Sequence, residues 1–255
     1  MRDFFTYKGG VGLEIFGFTH ILVTCITIIC AVAIFIFRHK LRKWKQKDKM
    51  RYVIAGILFT NMAIYYISLM LNGIYTWKTD LPFHLCFITG YTFMLAMVMG
   101  SKKLYKVVYF FTFVGPLPAI ILPDTTQNLG FQLGPDRFIF YQYVISHHFL
   151  ILSSLYTLFV LNYEIKLKDV IPAFIYGNIL VGTMTAFNTV CGTNYIMVFE
   201  LPPHIVKLLP FLNYGIPILW LESAAIAALC VSYLPVYLMN KADKKYKIKS
   251  AAVAV

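Results

Sequence analysis

The sequence predicts an all-α fold: a polytopic integral membrane bundle of about seven transmembrane helices, forming one domain over residues 1–255. Three observations predict it. Hydrophobic residues make up 59% of the chain and charged residues only 13%, with mean hydropathy +0.70, whereas a soluble domain carries about a quarter charged residues. Seven windows are apolar enough, with few charges, to cross a ~30 Å hydrocarbon core as helices of about 20 residues. The basic residues concentrate in alternate connections between those windows.

The first window, 15–37, is too long for a signal-peptide core and lacks a small-residue cleavage site, so it stays as a helix. The second runs over 52–74. The third, 81–99, opens on LPFHLC, where Thr79 or Asp80 can cap the helix and Pro82 is tolerated in a first turn. Gly115, Pro116 and Pro118 interrupt the fourth, 104–122. The fifth, 138–162, carries the pair His147–His148. The sixth and seventh cover 170–190 and 212–238. The ends, Met1 to about Val11 and Ala242 to Val255, are short and expected to be mobile.

The net charge of +12 does not mark a nucleic-acid binder, because of where it sits. Residues 38–51 form a basic loop with eight Lys/Arg. Lys102, Lys103 and Lys106 follow window three, and Lys166 and Lys168 follow window five. Lys241, Lys244, Lys245, Lys247 and Lys249 lie in the tail, 242–255, or at its edge. A seven-span chain puts all four regions on one face. The positive-inside rule makes that face cytoplasmic, with the N-terminus outside and the C-terminus inside. Anionic inner-leaflet lipids then account for the charge. The five cysteines, odd in number and irregularly spaced, make no disulfide framework, and Cys25, Cys30 and Cys230 read as packing residues.

Ionisable groups inside a bilayer are costly and raise a functional question. Glu14, His20, His84, Cys86, His147, His148 and Glu222 all fall towards the outer side. The last three lie about ten residues in, roughly 15 Å deep. This one-sided pattern predicts a polar cavity open to the outside. Tyr143, His147 and Ser154, with Ser146 beside them, form one polar stripe. Asn178, Gly182, Thr185 and Thr189, with Asn188 at the edge, form another. Such stripes serve helix packing as well as function.

Cys86 falls in or just after the first turn of its helix, where free N–H groups and the helix dipole favour a thiolate nucleophile. His84, two residues away, points to the opposite side. His148 or His147 is the better base, with Glu222 or Asn188 orienting the imidazole. His20 and Tyr143 share that side and are candidates for touching substrate.

LPFHLC, HHF (His147 to Phe149) and FNTVCGTNYIM (Phe187 to Met197) resemble, in order and spacing, the YwaF-like family of bacterial integral membrane proteins. The likeness runs from about Asp80 onward. That family looks distantly similar to eukaryotic transmembrane acyltransferases that remodel ether phospholipids and are thought to use a cysteine. The matched positions are His84, Cys86, His147, His148, Asn188, Asn194 and Tyr195, of which His84, Asn194 and Tyr195 join His20 and Tyr143 as expected substrate contacts. The resemblance implies a multi-pass bacterial cell-membrane protein.

The leading functional expectation is a lipid acyltransferase or transacylase working without cofactor or metal. Its partners would be membrane lipids: a phospholipid or glycolipid acyl donor and a lysolipid acceptor. One alternative is a small-solute or ion transporter flexing at Gly115–Pro118. Another is a zinc-dependent intramembrane hydrolase with His84, His147 or His148 and Glu222 as ligands.

Overall fold

A computed structural model describes residues 2–7, 10–124 and 133–253. All regular structure among these residues is helical. The helices are α1 (Phe18–Arg42), α2 (Met50–Leu71), α3 (Leu85–Met99), α4 (Lys102–Val114), α5 (Pro116–Ile121), α6 (Phe138–Val144), α7 (Leu150–Phe159), α8 (Val170–Cys191), α9 (Pro203–Leu208) and α10 (Pro217–Val253). A π-helical turn, Ile145–Phe149, joins α6 to α7 without a break.

Six helical stretches are long and apolar enough to cross a membrane: Phe18–Arg42, Lys47–Leu71, Lys102–Ile121, Phe138–Phe159, Leu167–Cys191 and Pro217–Tyr246. The seventh expected span is the shorter apolar helix α3, whose 15 residues reach about 22 Å. Residues 81–84 form a turn instead, and neither Thr79 nor Asp80 caps the helix. The N-cap position falls on His84, which makes no side-chain cap. The Asp80 carboxylate is spent earlier, accepting the Thr76 N–H at 2.8 Å.

The core is built on α4 and α7, whose Tyr105, Tyr109, Phe110, Leu150 and Leu158 are fully enclosed. Helices α1, α8 and α10 turn large apolar side chains outwards, among them Ile28, Ile29, Ile175, Ile179 and Leu234. Apolar outside and tightly packed within is the arrangement that lipid allows, since each helix satisfies its own backbone.

Three sequence expectations change at the ends. The basic stretch 38–51 is mostly helical: α1 runs on to Arg42 and a 3₁₀ turn starts at Lys47, leaving only 43–46 between. The tail 242–253 continues α10. Both extensions are held by Asp243, whose oxygens take Arg38 and Arg42, each at 2.8 Å, while the His39 ring stacks on Tyr246. At the other end, Tyr7 is buried and Phe4 and Phe5 pack on Phe138, so the described N-terminal residues are part of the bundle.

Candidate active site

The site is assembled from three local irregularities that meet on the same side of the bundle. The first is the uncapped start of α3. Cys86 is its second residue, so the first-turn N–H groups around it have no intrahelical partner. Cys86 shares a helix face with Thr89, Gly90, Phe93 and Met97, all buried, and therefore faces the bundle.

The second irregularity is the break between α4 and α5. Pro116 lacks an N–H and cannot continue the α4 ladder, so the chain restarts there. Gly115 lets the break press against the head of α3. A Cβ at this position would stand 3.3 Å from Leu85 Cγ and 3.5 Å from the Cys86 nitrogen.

The third is the π turn, which packs against α5, α2, α3 and α1. Single π turns inside α-helices recur at functional sites because they re-aim side chains. Here three successive residues point in different directions. The Ser146 hydroxyl accepts from Asn61 at 3.0 Å and from Gln142 at 2.8 Å, towards α2. His148 bonds Thr27 on α1 at 2.8 Å. His147 shares the face of Tyr143, with ring centroids 4.9 Å apart, and Tyr143 donates to the Ala119 carbonyl on α5. His147 thus shares the side of Tyr143, which is tied to α5, and His148 looks to α1.

Hydrogen bonding fixes both tautomers. The His147 Nδ1 lies 2.9 Å from the Tyr143 carbonyl, which only accepts, so Nδ1 carries the proton. Thr27 gives its single proton to the Val23 carbonyl and accepts from His148 Nδ1. Each ring therefore presents an unprotonated Nε2. That of His148 is buried without a partner. A bare imidazole nitrogen in an apolar interior is the form a general base takes.

No hydrogen bond joins Cys86 to a histidine among the described residues; the rings' Nδ1 partners are Tyr143 and Thr27. Orientation of the imidazoles comes from those two groups, not from Glu222 or Asn188. Glu222 lies only five residues inside α10, nearer the helix end than the expected ten, and among the described residues no hydrogen bond or ion pair ties it to the site. The Asn188 amide is committed to the GTNY segment. Its Oδ1 accepts from Thr193 and from the Tyr195 N–H, and its Nδ2 donates to the Tyr195 carbonyl. His20 is likewise occupied. Its Nδ1 accepts from the Phe16 N–H and its Nε2 donates to the Ile120 carbonyl. It ties α1 to α5 rather than offering a free edge to substrate.

The two outer motifs do converge. The Tyr195 hydroxyl donates to the Trp77 carbonyl and accepts the Leu81 N–H, while its ring packs on Phe83 and His84. Burial pushes the Tyr195 phenol up, which keeps it protonated. Asn194 shapes the following turn, accepting from the Phe199 N–H and donating to the Glu200 carbonyl. GTNY is therefore a clamp on LPFHLC.

The polar stripe expected on α8 is not part of a cavity. Asn178, Gly182 and Thr189 are exposed, and Asn178, Thr185 and Thr189 each bond the carbonyl four residues back. In lipid such back-bonding satisfies the side chain without a neighbour. The expected zinc set does not assemble either: no three His, Cys, Asp or Glu gather as ligands among the described residues. Sequence reasoning overlooked Thr27, Asn61 and Gln142. The last two carried a signal, being amides in the middle of apolar windows.

An uncharacterized protein of Treponema pallidum (strain Nichols) is 21% identical to this chain over 224 residues, covering 88% of each. No solved structure matches it. The profile of the TMEM164 family matches residues 15–233, a span that holds α1 to α9, the first part of α10 and every residue of the site, and the chain belongs to the TMEM164 family.

Proposed function

We propose that this protein is a membrane acyltransferase or transacylase that uses Cys86 as nucleophile and His147 as base on lipids of the outer leaflet. Membership of the TMEM164 family is compatible with such a role. So are the resemblances to YwaF-like proteins and, more distantly, to cysteine-dependent phospholipid acyltransferases. Two observations support the reading: the bare Nε2 of His147, on a π turn packed against both α3 and α5, and the Cys86 turn pressed against the break between α4 and α5.

The chemistry follows from these groups. The Cys86 Sγ–H gives its proton to His147 Nε2 as sulfur attacks the ester carbonyl carbon of the donor lipid. The oxyanion is held by free N–H groups at the start of α3. The tetrahedral intermediate collapses by breaking the carbonyl–oxygen bond, and the leaving alkoxide takes the proton from the imidazolium. The thioester is then attacked by the hydroxyl of a lysolipid. That proton passes through His147 to the departing Cys86 sulfur, restoring the enzyme. Catalytic hydrogen bonds of this kind often close only when substrate is bound, which suits the separation of Cys86 and His147 here.

The test is a reconstituted protein incubated with a phospholipid carrying an alkyne-tagged acyl chain. A hydroxylamine-labile adduct on Cys86 is expected, absent in Cys86→Ala and slowed about 10²- to 10⁴-fold in His147→Gln. An adduct unchanged in Cys86→Ala would refute the nucleophile. Uptake of a water-soluble solute without any adduct would favour transport.

A further inference from the structure

Helices α3, α4 and α8 line an open-sided groove that begins beside the candidate nucleophile. Leu85, Ile88 and Thr92 line it from α3, Leu104 and Phe111 from α4, and Leu180 from α8. Leu85 precedes Cys86, and Thr89, which also lines the groove, lies one turn beyond Cys86 on the same helix. The two threonines on the α3 side have committed their hydroxyl protons. Thr89 donates to the Leu85 carbonyl and Thr92 to the Ile88 carbonyl, so neither hydroxyl proton is left for a ligand.

We infer that this groove holds the fatty acyl chain of the Cys86 thioester and sets the chain length the protein accepts; the inference rests on the acyl-enzyme reading above. Its dimensions suit that occupant. Leu85 opens α3 near the outer side and Leu104 lies in the first turn of α4 at the opposite end. At 1.5 Å per residue the two levels differ by roughly 18 Å. That accommodates roughly 14 carbons, since a zigzag of ~1.5 Å bonds advances about 1.3 Å per carbon. An uncharged, carbon-lined channel beginning at the ester carbonyl matches an acyl tail and offers nothing to a headgroup.

The experiment narrows the groove from two walls, with Thr92→Trp on α3 and Leu180→Trp on α8, and keeps Thr92→Val as an open control. Each protein receives alkyne-tagged palmitoyl and octanoyl phospholipids. Both tryptophan variants are expected to lose palmitoyl labelling of Cys86 about tenfold more than octanoyl labelling, with Thr92→Val like the wild type. Equal loss for both chains, or no loss in either variant, overturns the groove. Absence of any label on the wild-type protein would instead sink the acyl-enzyme reading. The groove is then judged by a phospholipid with a diazirine at the end of its palmitoyl chain, photolysed on Cys86→Ala. Cross-links on Leu104 to Val108 uphold the groove, and cross-links elsewhere overturn it.

Discussion

Thr27 carries one hydroxyl proton, and its donation to the Val23 carbonyl leaves a lone pair for His148 Nδ1–H. Replacing it with valine keeps the shape and strands that N–H in an apolar interior, a loss of about 1–3 kcal/mol. Thr27→Val is therefore expected to unfold earlier in detergent, and Thr27→Ser to recover the difference. Valine matching the wild type in thermal unfolding would mean that the hydroxyl does not fix the ring. The adjacent histidines were legible as a pair. Which one faces α5 was not, because the π turn alters the angle between successive residues and no residue type announces it.

Among the elements, the GTNY clamp and the head of α3 act as one unit. Tyr195→Phe removes a donor to Trp77 and an acceptor for the Leu81 N–H, at about 1 kcal/mol for each bond. The expected results are a lower unfolding temperature and faster maleimide reaction of Cys86, because the turn that positions it loosens. A Cys86 reaction rate equal to wild type would break the link between clamp and thiol. Alkaline pH provides a parallel test. The phenol's folded value is raised above the ordinary ~10, so its contribution is complete below that pH and lost as pH rises beyond it. The helix break at Gly115–Pro116 was foreseeable from its residues. The short α3 was not foreseen, because Asp80 caps an earlier turn and so delays the helix.

For the whole molecule, the bundle has a polar cluster at one end and an ionic clamp at the other. Arg38 and Asp243 are respectively 7% and 22% exposed along their side chains. Asp243→Asn leaves Arg38 and Arg42, neighbours on α1, without their carboxylate partner on α10. It is expected to cost about 1–3 kcal/mol, since the pair is only partly shielded from solvent. Unchanged thermal stability would assign the clamp no structural role. The charge pattern also makes an orientation testable. With the five native cysteines replaced by serine, Lys45→Cys should react with a membrane-impermeant maleimide only after cells are opened. Labelling in intact cells would invert the topology.

What the sequence determined by itself is the helical membrane bundle, its apolar segments and the gathering of its basic residues in alternate connections. Hydrocarbon rewards composition and length irrespective of which helix neighbours which. Tertiary structure alone decided which polar side chains have partners. Asn188, His20 and the α8 stripe looked available in sequence, yet their hydrogen bonds are consumed by backbone groups close by or across the bundle. The bare Nε2 atoms of His147 and His148 emerge only when Tyr143, Thr27 and Val23 are in place, because a tautomer is set by the partner of the opposite nitrogen.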